Sequence, residues 1–323
     1  MTQQRTALVL GATGGIGGEV ATALTARGWL IRALHRQGGA RGRSDDGFEW
    51  VQGDAMSEAD VVAAAKGSSV IVHAVNPPGY RHWEKLVLPM LDATLAAAKA
   101  SGARIIVPGT VYNFGPDAWP ILREDSPQHP KTRKGAIRVE MERRLEQAAA
   151  EGVRTLVVRA GDFFGPRGTG NSWFTAALVK PGKPVTSVLY PGRKGVGHQW
   201  AYLPDVAETM VRLIEREDRL KAFAVFHMDG HWDGDGTAIV GAIGRACGKE
   251  NLPARNFPWW AVTLASPFVP LFREMLEMRY LWREPLRMDN SRLVAVLGEE
   301  PHTPLDEAVR ITLQGLGCLA PTA

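Results

Sequence analysis

Cysteine is scarce in this chain. Among 323 residues only Cys247 and Cys318 are cysteines, and no CxxC or Cys/His spacing accompanies them. Paired or clustered cysteines are the usual mark of disulfide frameworks and zinc sites. The sequence therefore predicts neither a disulfide scaffold nor a metal centre. With 45% hydrophobic residues, a chain of this length can instead bury a substantial core.

Long apolar runs are also missing. The longest, residues 257–272, is interrupted by Pro258, Pro267 and Pro270 and is shorter than the roughly 20 residues that cross a bilayer. We therefore expect no integral membrane segment. This aromatic-rich run fits a helical lid or packing segment over a substrate pocket better than a segment lying on a membrane surface. The N-terminus lacks the apolar region of a secretory signal, so a cytoplasmic location is expected.

An excess of charge of one sign is absent as well. The formal net charge is only +4, from 38 Lys and Arg against 34 Asp and Glu. Such a weak and dispersed balance argues against a nucleic-acid partner. A small-molecule substrate is the expected partner, and a homodimer is left open.

The first half of the sequence alternates short apolar runs with longer helical patterns. Strands are predicted at 6–10, 30–34, 49–52, 70–73, 104–107 and 154–159, and helices at 15–27, 58–66, 83–100 and 134–151. A helix at 205–216 and a strand at 224–227 resume the pattern. Alternation of this kind is typical of an α/β fold with a doubly wound parallel sheet, the Rossmann type.

Two regions follow from this pattern. Residues 1–165 are predicted to form the Rossmann core, with the sheet completed by about 201–230. The Gly/Pro-rich segment 166–200 and the mainly helical residues 231–323 are predicted to form a smaller substrate-binding lobe.

A glycine turn lies between the first strand and the first helix. Gly11, Gly14 and Gly17 have the G-x-x-G-x-x-G spacing of a dinucleotide-binding turn. Gly11 permits the turn, Gly14 allows the backbone to approach a pyrophosphate, and Gly17 allows helix and strand to pack closely. The helix N-terminus attracts phosphate. The predicted cofactor contacts here are Gly11, Thr13, Gly14, Gly15, Ile16 and Gly17.

The end of the second strand favours NADP over NAD. It reads His35-Arg36, with Arg32, Arg41 and Arg43 nearby and no acid until Asp45. An acid at this place binds ribose hydroxyls, whereas a basic residue receives a 2′-phosphate. We predict that Arg36, next to His35, holds this phosphate; the alternative is a solvated basic loop.

Asp54 follows the third strand in Gln52-Gly53-Asp54. It is placed either to accept a hydrogen bond from the adenine amino group or to cap the helix that starts near Ser57.

The order of these and later elements resembles the extended or atypical short-chain dehydrogenase/reductases, the NAD(P)-dependent epimerase/dehydratase group. The elements are the glycine turn, Gly53-Asp54, the segment from His73 to Pro77, Val111-Tyr112, the segments 159–166 and 200–207, and Asp289-Asn-Ser-Arg292 with Leu297-Gly298. The resemblance implies further cofactor contacts at Ala55, Ala74, Val75 and Asn76.

Members of this family normally carry a Tyr-x-x-x-Lys pair after strand five. Aligned by Glu124 to Pro127 and by Glu142, the pair falls on Lys134 and Arg138, so the tyrosine is absent. The usual Ser or Thr falls on Pro108, or on Thr110 if the loop is shortened.

Three interpretations remain open for these positions. Lys134 and Arg138 stand four apart on one helical face, where both could support a developing enolate or alkoxide, with Lys134 also at the nicotinamide ribose. Alternatively Tyr112 supplies the proton, although a packed aromatic is its ordinary role. The third interpretation is a redox-silent protein that senses NADP.

The resemblance places substrate contacts at Asp162, Asn171, Trp173, His198 and Trp200. The aromatic segments 173–174 and 257–272 favour a hydrophobic or aromatic substrate. The resulting hypothesis is an NADP-dependent oxidoreductase that moves hydride to or from a carbonyl or activated double bond. The alternatives are an NAD(P)-dependent epimerase or dehydratase and the redox-silent sensor.

Overall fold

The computed structural model describes residues 4–37, 47–77, 82–168 and 172–320. In chain order its strands are β1 (Thr6–Leu10), β2 (Leu30–His35), β3 (Glu49–Gln52), β4 (Val70–His73), β5 (Arg104–Gly109), β6 (Ile121–Leu122), β7 (Thr155–Arg159), β8 (Asp162–Phe164), β9 (Val188–Tyr190), β10 (His198–Tyr202), β11 (Phe223–His227), β12 (His231–Asp233), β13 (Ala254–Asn256) and β14 (Arg287–Met288). Its α-helices are α1 (Gly15–Thr25), α2 (Glu58–Ala65), α3 (Trp83–Ser101), α4 (Arg133–Ala150), α5 (Leu203–Glu215), α6 (Ala238–Ala246), α7 (Trp259–Ala265), α8 (Pro270–Glu277), α9 (Ser291–Leu297) and α10 (Leu305–Gly315).

Seven parallel strands form the central sheet, in the order β11-β7-β5-β4-β1-β2-β3. The chain runs outward from β1 in one direction through β2 and β3, and in the other through β4, β5, β7 and β11. The order therefore reverses between β1 and β4. Ligands of open α/β sheets bind at the carboxyl edge beside such a reversal. This topology confirms the predicted doubly wound parallel sheet.

Helices cover both faces of the sheet because its central strands are apolar on both sides. On one face α1, α5 and α9 share a buried core that includes Val20, Val206 and Leu293. On the other face α2, α3 and α4 pack in a second core that includes Leu91 and Leu145. Two buried faces are what a parallel sheet requires.

A third core lies outside the sheet. It is built from segments between 164 and 202 and between 239 and 319, and it is rich in tryptophan. Trp260 of α7 and Phe268, in the turn between α7 and α8, are 72% and 86% exposed. Among the described residues, no helix is long and apolar enough to cross a membrane, and no group of His, Cys, Asp and Glu could hold a metal ion.

Candidate functional site

A tight glycine turn joins β1 to α1 at the carboxyl edge of the sheet. The Gly14 N–H donates to the Gly11 carbonyl across 2.9 Å, and Gly11 has a φ of +93°, which favours glycine. A Cβ at Gly17 would lie 2.3 Å from the Gly11 carbonyl oxygen, and one at Gly11 would lie 2.6 Å from the Ala74 oxygen. The turn, the helix and β4 thus approach too closely for a side chain at either position.

The first turn of α1 presents its backbone N–H groups to this edge. Gly14 precedes the helix in an extended conformation, and no side chain among the described residues caps it. Thr13 and Gly14 are exposed, whereas Gly15 and Gly17 are buried. Uncapped N–H groups at the positive end of a helix dipole suit phosphate. Residues 11–17, including Ile16, therefore fit the pyrophosphate of a dinucleotide.

Arg36 follows β2 at the same edge, and its side chain is exposed. Arg32, by contrast, pairs with Glu49 and donates to two backbone carbonyls at the end of α2. The partly buried ring of His35 accepts a hydrogen bond from the Gln37 N–H at 3.1 Å. Arg36 is therefore accessible where a 2′-phosphate is expected, whereas Arg32 has a structural role. Arg41, Arg43 and Asp45 lie outside the described residues.

Asp54 and Ala55 follow β3. The Asp54 carboxylate accepts a hydrogen bond from the Met56 N–H at 3.0 Å, and its side chain remains exposed. Ser57 caps α2 by accepting from the Asp60 N–H at 3.3 Å. The helix cap is thus Ser57, and Asp54 stays available at the cofactor edge. After β4, Ala74 and Val75 are partly buried and Asn76 is exposed.

Lys134 lies in the first turn of α4 and is 2% exposed. Its ammonium group pairs with Glu274 and with Glu277, the latter at 2.7 Å, and its backbone N–H donates to Glu277 at 3.1 Å. Burial alone would raise the pKa of Glu277, but the hydrogen bonds from Lys134 hold that pKa below its ordinary value. Two carboxylates of α8 therefore balance the Lys134 charge.

Arg138 lies one turn further along α4, with its guanidinium 5.1 Å from the ring centre of Trp83. Burial and, secondarily, the Arg138 charge lower the pKa of His73 to about 3. Because the Thr94 hydroxyl donates to the Met90 carbonyl, it can only accept from His73 Nδ1, at 2.8 Å. A neutral imidazole thus ends β4.

Tyr112 lies in a single helical turn, Val111–Asn113, directly after β5. It is partly buried and packs against the apolar cluster of Met278, Leu281 and Leu286. A Cβ at Gly135 would lie 2.3 Å from the Tyr112 carbonyl oxygen, so α4 begins in close contact with this turn. The structure therefore brings Lys134 and Tyr112 into the same region.

A buried polar network lies behind Thr110. Arg159, fully buried in β7, donates to Glu142 at 2.8 Å, to His227 Nε2 at 3.0 Å and to the Thr110 carbonyl. Burial first, then the Arg159 charge, lowers the pKa of His227 to about 3. The hydroxyl of Thr110 donates to Asn113 at 3.3 Å, and Asn113 in turn donates to Glu142 at 2.9 Å. Thr110 thus belongs to a network that fixes the exit of β5.

Three of the five predicted substrate residues contact Trp282, and a fourth, Asp162, pairs with one of them. His198 stacks on Trp282 with ring centres 3.7 Å apart, and its Nε2 lies 2.8 Å from the Asp162 carboxylate. Trp173 and Trp200 approach Trp282 at 5.5 Å and 5.8 Å. The fifth residue, Asn171, lies outside the described residues.

Sequence reasoning missed several of these residues. Glu274 and Glu277 lie more than 130 residues from Lys134, so no local pattern connects them with it. Trp282 belongs to an aromatic-rich segment whose partners depend on the fold. A signal did exist for Arg159, because a charge at the end of an otherwise apolar strand needs a partner.

The sequence pattern of the NAD dependent epimerase/dehydratase family matches residues 7–227. The chain belongs to this family. The match confirms the predicted resemblance and the predicted class of enzyme, an NAD(P)-linked oxidoreductase or epimerase.

Two curated relatives are similar in sequence. The uncharacterized protein y4nL of Sinorhizobium fredii is 29% identical over 198 residues, which are 54% of this chain and 55% of the relative. A 3-diazoavenalumate denitrifying reductase of Streptomyces sp is 30% identical over 227 residues, 65% of this chain and 72% of the relative. The chain thus spans about half the length of the first relative and nearly three quarters of the second.

Solved structures share the fold. MoeE5, solved with UDP-glucose and NAD, has a TM-score of 0.72 and 19% identity, with 96% of this chain and 98% of that chain covered. A putative epimerase of Burkholderia cenocepacia has a TM-score of 0.74 and 17% identity, with 98% and 99% covered. The UDP-glucose 4-epimerase of Thermotoga maritima has a TM-score of 0.71 and 16% identity, with 96% and 98% covered.

Proposed function

We propose that this protein is an NADP-dependent reductase that moves hydride to a carbonyl or activated double bond of a small, hydrophobic substrate. The observation that carries the proposal is the salt bridge of Lys134 with Glu274 and Glu277, at the place where the family normally has a tyrosine. An epimerase must remove a proton or hydride and return it. A buried ammonium that is paired with two carboxylates is a poor base for such a cycle.

The cofactor would be held along the carboxyl edge of the sheet. Its pyrophosphate would lie on residues 11–17, its adenine beside Asp54 and Ala55, and its 2′-phosphate on Arg36. Ala74, Val75 and Asn76 would line the far side, and Lys134 would orient the nicotinamide ribose. When bound, NADPH supplies the hydride. The absence of a Cβ at Gly11 and Gly17 lets the turn, α1 and the segment after β4 pack closely at this edge.

The proton for the reduction is assigned to Tyr112. Its turn is fixed from two sides, by the close approach of Gly135 and by the Thr110–Asn113–Glu142 network. A phenol held in this way can donate a proton to a substrate oxygen as negative charge develops. Arg138, one turn beyond Lys134, would stabilise that charge.

On the substrate side, Asp162, His198, Trp173 and Trp200 would form the wall around Trp282. The rings of Trp173 and Trp200 pack against Trp282 at 5.5 Å and 5.8 Å, and none of the three is more than 9% exposed, so they would form an apolar floor under a bound ring or chain. The reductase name of the Streptomyces relative supports the same direction of reaction.

A redox-silent NADP sensor is the second candidate, favoured by the balanced charge of Lys134. A measurement of turnover distinguishes the reductase from the sensor. We expect the protein to oxidise NADPH with some members of a panel of aromatic ketones, aldehydes and enones, and Tyr112→Phe to lower kcat at least about a hundredfold. Binding of NADPH without oxidation across the whole panel would favour the sensor.

Cofactor preference is tested separately by fluorescence titration. Arg36→Ala removes a charged hydrogen bond to the 2′-phosphate and should weaken NADPH about tenfold or more, with little effect on NADH. The conservative change Arg36→Lys should retain part of the preference. Equal losses for both cofactors would refute the 2′-phosphate assignment.

A further inference from the structure

A pocket of about 290 Å³ opens beside Trp282. It lies between the loop after β9 and the turn that follows α8. Four aromatic side chains line it, those of Tyr190, Phe257, Trp259 and Trp282, together with three guanidinium groups, those of Arg193, Arg279 and Arg283. The pocket therefore combines flat apolar surfaces with concentrated positive charge.

The guanidinium groups of this pocket have no carboxylate partner among the described residues. Arg279 lies over the Trp259 ring at 5.0 Å, and its pKa is lowered by burial and by the charges of Arg283 and Arg193. Like charges that are gathered without a partner repel one another, so a bound anion would relieve the repulsion.

Two buried polar atoms at this pocket also lack partners. The Trp282 indole nitrogen and the Tyr190 hydroxyl make no hydrogen bond with any described residue, although both side chains line the pocket. Buried polar groups normally have a partner, and exceptions often mark a place where a ligand or water completes the bonding.

We infer that this pocket binds a small aromatic acid, with its ring against Trp259 and Trp282 and its carboxylate on Arg279 and Arg283. A volume of about 290 Å³ is at the low end for ligand pockets and suits a ring with one anionic group. Guanidinium groups match a carboxylate with paired N–H donors. The role of this acid as the reduced substrate rests on the proposed function; its binding does not.

The position of the pocket connects it with the proposed reaction. Trp282 lines the pocket and also stacks on His198. One residue earlier, Leu281 belongs to the apolar cluster against which Tyr112, the assigned proton donor, packs. One short turn, Arg279–Trp282, thus contacts both the acid-binding pocket and the exit of β5.

Binding is tested on the whole chain without NADPH, by calorimetric titration with benzoate and with neutral benzamide. We expect benzoate to bind at least about tenfold more tightly than benzamide, and Arg279→Gln and Arg283→Gln each to weaken benzoate about tenfold. Arg273→Gln, on an exposed residue of α8 outside the pocket, should leave the affinity unchanged. Circular dichroism establishes that each variant is folded.

Three results would overturn the inference: equal affinity for benzoate and benzamide, unchanged benzoate affinity in the folded Arg279→Gln/Arg283→Gln double variant, or UDP binding more tightly than benzoate through the same arginines. Charge-dependent benzoate binding in a protein that never oxidises NADPH would support the pocket and contradict only the proposed reaction.

Discussion

Lys134 and Glu277 are 143 residues apart in the chain, yet the Lys134 ammonium lies 2.7 Å from a Glu277 carboxylate oxygen. Glu274, one helical turn earlier, pairs with the same ammonium. Through these contacts α8 is attached to the first turn of α4, where the proposed reaction takes place. The salt bridge thus connects α8, on the proposed substrate side, with the start of α4, on the proposed cofactor side.

Removing one carboxylate from this salt bridge should destabilise the fold. For Glu277→Gln we expect a loss of about 2 kcal/mol, because a buried ammonium loses half of its counter-charge while Glu274 remains. Urea denaturation measures the change. Glu146→Gln, on an exposed residue of α4, is the matched control and should stay within about 0.5 kcal/mol of wild type.

The same pair predicts a pH effect. Since the pKa of Glu277 is lowered in the folded protein, its contribution is present above the unfolded value of about 4.3 and is lost as pH falls through the folded value. The stability difference between wild type and Glu277→Gln should therefore shrink below about pH 4. A difference that is constant down to pH 3 would contradict this account.

Three buried histidines should make folding sensitive to mild acid. Burial lowers the pKa of His73 and His227 to about 3 and that of His231 to about 4. At any pH between these folded-state pKa values and about 6.5, the unfolded chain binds protons that the folded chain does not, so stability falls as pH falls. Denaturation at several pH values should show this slope.

A variant of His227 isolates the contribution of one of these histidines to the pH dependence of stability. His227→Gln should reduce the slope of unfolding free energy against pH, between pH 6 and about 4, by the amount that corresponds to roughly one bound proton. This holds whatever the effect of the substitution on stability at pH 7. The exposed His82, which has a φ of 54°, supplies the control His82→Asn, because asparagine tolerates that backbone. An identical slope in wild type and His227→Gln would rule out a neutral His227.

Gly14→Ala separates binding from folding at the glycine turn. Its Cβ would lie 3.3 Å from the Gly11 oxygen, a tight but tolerable contact, yet it would occupy the surface on which the pyrophosphate is expected. We predict a stability change below about 1 kcal/mol and a loss of NADPH affinity of at least about tenfold. Unchanged affinity would place the cofactor elsewhere.

Gly135→Ala tests the contact between α4 and the Tyr112 turn. The new Cβ would lie 2.3 Å from the Tyr112 carbonyl oxygen and 2.5 Å from Pro130 Cβ, so the start of α4 must move. We expect about 1–3 kcal/mol of destabilisation and lower turnover. Gly234→Ala, whose nearest neighbour would be 3.5 Å away, is the control. Thermal denaturation and NADPH oxidation measure both effects.

Much of the Rossmann core could be predicted from local patterns. Strands β1, β3 and β4 have the predicted bounds, and α1 begins at the predicted Gly15. These elements are short apolar runs or follow a glycine turn, so nearby residues determine them. Several boundaries shift by one or two residues. Strand β5 continues to Gly109 because its last residues pair with β7. Helix α5 begins at Leu203 because a proline stands in its first turn.

The candidate site was less predictable. The sequence indicated that Lys134 and Arg138 share a helix face, but not that Glu274 and Glu277 pair with the lysine. Similarly, His198 was expected at the substrate side, whereas its stacking on Trp282 depends on how the 279–282 turn packs. Contacts of this kind join distant segments, and no periodicity in the sequence reports them.

The most direct test of the proposed reaction is to follow the hydride itself. NADPH carrying deuterium at nicotinamide C4 is incubated with the protein and an accepted carbonyl or enone, and the product is analysed by mass spectrometry. A reductase should deliver the deuterium to the product and release NADP, one for one. A product without deuterium, or a substrate that is isomerised while NADPH is not consumed, would contradict the assignment of this chain as an NADP-dependent reductase.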